Sequence, residues 1–511
     1  MKKAYINAHI PFSNANAFIV EKGRFTHVGS KQNILKQTID EIIDLNNYTV
    51  LPGFHDSHLH VLGIGKSMNM EDLSLDDTID KLIKRMQSSD KNPLIGRGFH
   101  EGQFQENRSL TKIDLNKIST KKPIVFYRVC GHMVVANDKA IELAKASRTL
   151  PKGENNYDFE TGIFKEEAIA WIMQVSGKIT KARIQEEVLL AQEALLANGV
   201  TAVGSDDFAM YDVDFEMILE AIQELDIDGK LKLRILEQAN IPKLENLKRF
   251  IDKKYVNRTF NRYRMGPLKL LADGSLGARS AFMREPYADA NTKGIRVFPK
   301  ETLAALITTA DQAGMDSAVH GIGDAIIDDL LDVYESLDPA TRSDKRHSII
   351  HAQLADKAQI ARMLALNVGA QTQPIFLNSD IPVLEPALGD RRFETYLFNT
   401  MYQSGIKTTI STDAPVEAIN PFDNLYVATT RKSIKHKNLE PFLPEEAFDL
   451  KDALDAYTHV PAYFSYQEHE LGKIQKGFLA DFIVVKNFKK DRLLEAKVLT
   501  TYIEGEQVYQ S

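Results

Sequence analysis

Two histidines separated by one residue, His58 and His60, have a type and spacing that suggest metal chemistry. The preceding run YTVLPGF is strand-like, and side chains at positions i and i+2 of a strand point the same way. Imidazole is the commonest neutral ligand of zinc-class metals, so the pair predicts a metal site, with two surface histidines as the alternative. His55 has the wrong spacing and is expected to point away.

Three more side chains of ligand type end predicted strands. His320 ends the run DSAVH, His351 ends SIIH and Asp413 ends TTISTD. Taken singly, each histidine has the alternative of a hydrogen-bonded loop residue, and the aspartate that of a helix N-cap. Their recurrence at strand ends, after the His-x-His pair, favours one shared metal site. His347 begins the strand that His351 ends, so it is expected at the opposite end of the sheet.

Lys269 lies inside the apolar run GPLKLLADGS, where a bare ammonium would be costly to bury. It could extend out of the core or pair with a carboxylate such as Asp273. It could also react with CO2 and become an anionic carbamate that bridges two metals. The residues alone leave these alternatives open.

The elements that must position these side chains alternate along the middle of the chain. Eight short apolar runs, most of them followed by an amphipathic segment, are VLPGFHDSHLH, GVTAVGSDD, LKLRILEQAN, GPLKLLADGS, MDSAVHGIGD, RHSIIHAQ, NVGAQTQP and GIKTTISTDAP. Alternation of buried strands and helices predicts a parallel sheet. Eight such units predict an α/β fold of the (β/α)8 TIM-barrel type, whose site lies at the carboxyl ends of the strands.

The domain boundaries follow from the same pattern. Both ends of the chain, residues 1–52 and 474–511, contain short strands and could pair into one small β domain. The barrel is predicted to span residues 53–66 and 181–473. The first and second barrel strands are too far apart for a structureless loop, so residues 67–180 are predicted to form an inserted α+β subdomain that covers the site as a lid.

Composition excludes several classes of protein. The 511 residues include 63 Lys and Arg against 70 Asp and Glu, a net charge of −7, which argues against a nucleic-acid-binding surface. The single cysteine, Cys130, excludes an intrachain disulfide and a cysteine-rich zinc site, and its apolar surroundings make it a poor nucleophile. With neither a long apolar run nor a recognisable signal peptide, a cytoplasmic protein without a membrane partner is expected.

Longer stretches carry a family resemblance over nearly the whole chain. They are GRGFHEGQF, RVCGHMVVAN, TGIFKEEA, LKLLADGSLGARSA, AVHGIGDAIID, HAQL, TQPIFLNSD, STDAPV and GFLADFIVV. With the ordered ligands, they resemble the metal-dependent amidohydrolase superfamily, in the branch that contains N-substituted formamide deformylase. The resemblance implies a β-sandwich built from both chain ends and a barrel that holds one or two divalent metals, usually zinc. By position, His58, His60 and Asp413 would bind the more buried metal.

The resemblance also implies the rest of the centre and the reaction. Lys269, as a carbamate, would bridge the metals, and His320 and His351 would bind the second one. The expected activity is hydrolysis of a non-peptide C–N bond, such as that of an N-formyl or N-acyl amine, by a metal-bound hydroxide. Asp413 would take the hydroxide proton and pass it to the leaving nitrogen. A metal is the first candidate to support the oxyanion and His132 is the second, with a structural histidine as the alternative role for His132.

Other polar residues are candidates for the pocket wall. Glu166, Arg279 and Gln373 are predicted to contact the substrate, with a solvated helix or loop charge as the alternative for the two charged residues. Asp206 and Asp207 follow the second strand, where they could reach the pocket or cap the next helix.

Two other functions remain as alternatives. The same scaffold could deaminate a heterocycle or hydrolyse an ester, although HGIGD lacks the glutamate that one-metal deaminases carry beside the strand-five histidine. A non-catalytic binding scaffold is disfavoured because no ligand position is lost. The expected partner is a small-molecule substrate, and association into a homo-oligomer is left open.

Overall fold

A computed structural model describes residues 1–129, 131, 133–147, 150, 156–342 and 344–511. The chain divides into two compact units. One consists of Met1–Ile64 with Ile184–Ser511, and the other of Gly65–Arg183.

The amino-terminal segment forms five strands and one short helix. They are β1 Lys2–Ile6, β2 Ala17–Glu21, β3 Arg24–Gly29, α1 Lys31–Ile34, β4 Glu41–Asp44 and β5 Thr49–Pro52. Four of the strands make a sheet in the order β3-β2-β1-β4, while β5 belongs to a different sheet. The first barrel strand, β6 Phe54–Leu59, follows directly and leads into α2 Val61–Met68.

The unit Gly65–Arg183 has its own sheet and core. Its strands are β7 Glu71–Asp72, β8 Leu94–Phe99, β9 Ile124–Arg128, β10 Met133–Ala136, β11 Tyr157–Asp158 and β12 Ile163–Lys165. They form a mixed sheet in the order β11-β12-β10-β9-β8-β7. The helices of this unit are α3 Ile79–Gln87, α4 Lys112–Ile118, α5 Asp138–Ser147 and α6 Glu167–Ile172. This content of strands and helices confirms the predicted inserted α+β subdomain.

The remaining barrel strands come one after another along the chain. They are β13 Val200–Ser205, β14 Arg234–Asn240, β15 Tyr263–Leu271, β16 Ser317–Gly321, β17 Ser348–His351, β18 Gly369–Thr372 and β19 Thr408–Ile410. With β6 they form an eight-stranded parallel sheet in the order β19-β18-β17-β16-β15-β14-β13-β6. Each of the eight apolar runs found in the sequence therefore supplies one barrel strand, which confirms the predicted fold.

Helices lie between and after these strands. They are α7 Lys181–Ala197, α8 Phe215–Ile227, α9 Leu244–Asp252, α10 Lys300–Gln312, α11 Asp324–Ser336, α12 Pro339–Arg342, α13 Lys357–Ala365, α14 Leu377–Leu388, α15 Phe398–Gln403, α16 Pro421–Thr430, α17 Leu450–Ala456 and α18 Val460–Phe464. The 3-10 helices formed by the described residues are Glu101–Gln103, Met173–Ser176, Pro374–Phe376, Gly389–Glu394, Pro444–Glu446 and Lys490–Glu495. Among the described residues, none of the helices combines the length and apolar character needed to cross a bilayer.

Backbone hydrogen bonds join the first and last barrel strands. The N–H of Asp413 donates to the carbonyl of His58 at 2.9 Å, and the N–H of His60 donates to the carbonyl of Ala414 at 2.9 Å. The two segments that carry the His-x-His pair and the aspartate therefore run side by side at the carboxyl ends of the strands.

The carboxyl-terminal strands complete a second sheet with β5. They are β20 Phe482–Lys486, β21 Lys497–Ile503 and β22 Glu506–Gln510, and the order is β22-β21-β20-β5. Buried residues from both four-stranded sheets share one apolar cluster, which includes Tyr5, Phe18, Val50, Phe482 and Tyr502. The two chain ends thus build the predicted small β-sandwich.

Candidate metal centre

His58, His60 and Asp413 meet at the carboxyl ends of the barrel strands. Nε2 of His60 lies 3.1 Å from Oδ1 of Asp413, and Nε2 of His58 lies 3.3 Å from the same oxygen. One ligand atom from each residue fits within a 4.8 Å span, which is close enough for the three to hold one metal ion. Asp413 adopts a left-handed backbone with φ of 55°, a strained conformation that non-glycine residues often adopt at functional sites.

Lys269 points into the same centre from β15. Its side chain is 2% exposed, and Nζ lies 3.2 Å from Nε2 of His58 and 3.8 Å from Oδ2 of Asp206. Of the alternatives for Lys269, the structure shows a carboxylate partner, but this partner is Asp206 and not the suggested Asp273. The carboxylate of Asp273 instead accepts hydrogen bonds from the backbone N–H groups of the loops that follow β15 and β16, at residues Phe282, Ile322 and Gly323.

The two remaining predicted ligands adjoin this cluster. The rings of His320 and His351 lie 4.4 Å apart between centroids, and those of His351 and His58 lie 5.8 Å apart. His351 also has a left-handed backbone, with φ of 75°. The structure therefore brings all six predicted ligands together, from five different strand ends: His58, His60, Lys269, His320, His351 and Asp413.

Hydrogen bonds orient the two histidines of the first strand. Nδ1–H of His58 donates to Oε1 of Gln238 at 2.6 Å, and Nδ1–H of His60 donates to the backbone carbonyl of Asp206 at 2.7 Å. Gln238 reaches His58 past Gly204, where a Cβ atom would stand only 2.9 Å from Nε2 of Gln238. Nδ1 of each ring is thereby committed as a donor, and Nε2 is the nitrogen turned towards the centre, where it can bind a cation once it carries no proton.

The other two histidines are oriented in the same manner. Nδ1–H of His351 donates to Oε1 of Gln373 at 2.7 Å, which leaves Nε2 free to bind a cation. Nε2–H of His320 donates to the carbonyl of Gly274 at 3.1 Å, so its lone pair is on Nδ1. Four oriented imidazoles and one carboxylate supply the nitrogen and oxygen donors that zinc-class cations prefer, and the residues present therefore fit a divalent metal.

Burial and mutual contacts shift the titration of these groups. Burial lowers the pKa of His58 to about 4 and holds that of His351 well below its ordinary value. Burial also lowers the pKa of Lys269. Although burial would raise the pKa of Asp413, its close contacts with the imidazoles of His58 and His60 hold it well below its ordinary value. Burial opposes the charge on His60, but the Asp413 carboxylate outweighs it and raises its pKa to about 9.

Comparison with known proteins now decides the family. The model of the amidohydrolase family matches residues 41–509. This chain belongs to the amidohydrolase family. The amidohydrolase YtcJ of Bacillus subtilis is 30% identical to it, over 97% of this chain and 96% of the relative. A metal-dependent hydrolase from Pyrococcus furiosus has a crystal structure that superimposes with a TM-score of 0.80 at 30% identity, over 95% of this chain and 98% of the other.

A relative with a named substrate class is more distant. The N-substituted formamide deformylase of Arthrobacter pascens is 25% identical, over 98% of this chain and 95% of the relative. The comparisons identify a metal-dependent amidohydrolase and confirm that the chain is a hydrolase.

The residues predicted to contact substrate have different positions in this amidohydrolase. Gln373 is buried. Its amide N–H donates to the hydroxyl of Ser411 and its Oε1 accepts from Nδ1–H of His351, so its observed role is to orient His351. The guanidinium of Arg279 is paired with Asp289 at 2.5 Å. A substrate contact by Gln373 or Arg279 stays a prediction.

Two predicted residues lie elsewhere in the chain. Glu166 is exposed and belongs to the unit Gly65–Arg183, so its substrate contact and the lid role of the insertion stay predictions. His132 and Cys130 lie outside the described residues.

The acidic pair after the second strand does not cap the next helix. Asp214 is the N-cap of α8. The carboxylate of Asp207 accepts hydrogen bonds from the N–H of Leu62 and the hydroxyl of Ser205. Asp206 reaches the centre, and its buried Oδ1 has no hydrogen-bond partner among the described residues.

Sequence reasoning missed Gln238, which is one of several polar residues in the strand RILEQAN and has no distinguishing signal there. It also missed Phe376, whose ring is stacked on His351 with centroids 5.7 Å apart. No spacing rule connects either residue with the histidine it contacts.

Proposed function

We propose that this amidohydrolase hydrolyses a non-peptide, amide-type C–N bond in a small molecule such as an N-formyl or N-acyl amine. The observation that carries the proposal is the convergence of His58, His60 and Asp413 within 4.8 Å at the carboxyl end of the barrel. The distant relative named N-substituted formamide deformylase supports this substrate class.

The side chains divide into two groups around the proposed metals. His58, His60 and Asp413 would hold the first cation, and His320 and His351 would hold a second. Zinc suits this set of imidazole and carboxylate donors. Burial favours the neutral amine of Lys269, which could add to CO2 and lose one proton to give a carbamate, and this anion would help to hold two cations.

The reaction then depends on where protons are held. A divalent cation held by these residues would supply Lewis acidity, which makes water more acidic and a carbonyl carbon more electrophilic. Asp413 is ionised because its pKa is held low, so its carboxylate can accept the proton of the attacking water. It then delivers that proton to the leaving nitrogen, because an amine leaves only when protonated. The C–N bond breaks, and an acid and an amine are released.

Metal analysis of protein purified without chelators tests the centre. We expect about two zinc-class ions per chain if Lys269 is carboxylated, and about one if the lysine is unmodified. Absence of bound metal, together with no activation by added zinc, manganese or cobalt, would contradict the proposed function.

Turnover assays on the metal-loaded protein test the bond that is cleaved. N-formyl and N-acyl amines should be hydrolysed, and dialysis against a chelator should abolish the activity until metal is returned. Turnover confined to matched esters or to heterocyclic amines would replace the proposal with an ester hydrolase or a deaminase.

A further inference from the structure

A large apolar side chain stands exposed beside the centre on β15. Leu271 is the last residue of this strand, is 44% exposed and pairs in register with His320. It lies two residues after Lys269, so both side chains leave the strand on the same face. Since Lys269 contacts His58 inside the barrel, Leu271 lies above the centre at its open end.

Two more apolar side chains adjoin other members of the centre. Phe376, in the 3-10 helix after β18, is partly exposed and stacks on His351 with an interplanar angle of 23°. Val416 follows β19, is 63% exposed, and donates its N–H to the carbonyl of Asp413 at 2.9 Å.

Single exposed apolar residues are ordinary on protein surfaces and need no explanation. Here, however, the three lie at or just after the ends of three different barrel strands, and each one adjoins a different residue of the same polar centre. An apolar wall around a few convergent polar groups is the usual construction of a pocket for an organic ligand. Glu417, the residue next to Val416, is paired with Lys435 at 2.9 Å, so its charge is balanced within the protein.

We propose that Leu271, Phe376 and Val416 form an apolar subsite that binds a hydrocarbon substituent, alkyl or aryl, attached to the scissile amide group. This inference rests on the proposed function and specifies its substrate class. The subsite adjoins His320, His351 and Asp413, so the group that fills it must be bonded close to the reacting carbon or nitrogen.

Two homologous series test the subsite on the metal-loaded protein. One series varies the amine side and consists of N-formyl n-alkylamines from methyl to hexyl. The other varies the acyl side and consists of N-methyl amides of straight-chain carboxylic acids of increasing length. Burial of each added methylene should raise kcat/KM about fourfold until the subsite is filled. A rise in either series supports the subsite, and flat series on both sides of the amide would overturn it.

Alanine variants assign the effect to these side chains. Leu271→Ala, Phe376→Ala and Val416→Ala should each flatten the rise, with losses that grow with the length of the substituent. Leu494→Ala is a matched control, because Leu494 is also 44% exposed but lies in the 3-10 helix before β21. Phe12→Ala, at a 62% exposed position between β1 and β2, serves the same purpose for Phe376.

The outcomes separate this inference from the proposed function. No turnover of any member by metal-loaded wild type contradicts the proposed function itself. Turnover with the same chain-length dependence in wild type and in the three variants overturns only the subsite. Metal content and thermal unfolding of each variant show whether a flattened series reflects lost packing against the substrate or a damaged protein. Val416→Ala, at the most exposed of the three positions, should disturb the folded protein least.

Discussion

At the residue scale, the centre is organised by the acceptors behind its imidazoles. Gln238, Gln373 and the carbonyls of Asp206 and Gly274 each accept one ring N–H, which fixes the orientation of that ring and leaves its other nitrogen to bind a cation. An imidazole held in this way loses little conformational freedom when it binds a cation. The ligand set is therefore arranged for metal before any metal is bound.

Asp413→Asn should retain much of the metal but lose at least about 100-fold in kcat, because an amide cannot carry the proton to the leaving nitrogen. Metal analysis and steady-state kinetics on the same preparation check this. Asp390→Asn is the control, since the Asp390 side chain is fully exposed. Full activity in Asp413→Asn would refute the assigned role.

Lys269→Ala should lower the metal content per chain, because it removes the atom that would carry the bridging carbamate. Added short carboxylic acids should restore part of the metal content and activity by taking the place of the carbamate. Lys248→Ala, on the exposed side of α9, should leave both quantities unchanged. Unchanged metal in Lys269→Ala would argue against a carbamate bridge.

At the element scale, the β-sandwich depends on strands that are far apart in the chain. β20 pairs antiparallel with β5, so residues near 50 and near 484 share one sheet. Within this sheet, the rings of the paired residues Phe482 and Tyr502 are stacked with centroids 4.4 Å apart, and across the interface Tyr5 meets Phe482 edge-on at 5.2 Å. The aromatic cluster holds both chain ends together.

Phe482→Ala should lower the free energy of unfolding by about 3–5 kcal/mol, because it leaves a cavity in a fully buried aromatic cluster. Urea denaturation followed by circular dichroism measures the change. Phe12→Ala, at an exposed position, should change it by less than about 0.5 kcal/mol. A loss of similar size in both variants would show that the cluster is not what stabilises the sandwich.

At the scale of the whole molecule, buried neutral histidines link stability to pH. His55 is 5% exposed, and its Nδ1 has no hydrogen-bond partner among the described residues. Burial, reinforced by the charge of Arg234, lowers its pKa to about 3. Between about pH 3 and 6.5, the unfolded chain therefore binds more protons at His55 than the folded protein does. The contribution of His55 to stability is fully present above pH 6.5 and is lost as pH falls.

When the pH falls from 7 to 5, protonation of His55 in the unfolded chain should lower the free energy of unfolding of the metal-free protein by about 2 kcal/mol. His55→Leu should make the pH dependence shallower by that amount, as measured by urea denaturation at both pH values. An identical pH dependence in wild type and variant would contradict a neutral, buried His55 in the folded state.

Much of the molecule could be predicted from local patterns in the sequence. The eight apolar runs correspond to the eight barrel strands, and a residue at the end of a parallel strand must lie at the rim that all the strands share. This reasoning found His58, His320, His351 and Asp413 without any knowledge of their contacts. It also placed His347 correctly at the strand start, where its Nδ1 accepts from the N–H of Ser317.

The sequence by itself therefore determined the barrel, its ends and the residue types that face its centre, because strand periodicity and chain order depend on neighbouring residues. Only the tertiary structure decided which groups complete that centre. Gln238 meets His58 across 180 residues, and Asp206 rather than Asp273 faces Lys269. Such contacts depend on the register between strands and on the path of their loops, which residue spacing along the chain does not encode.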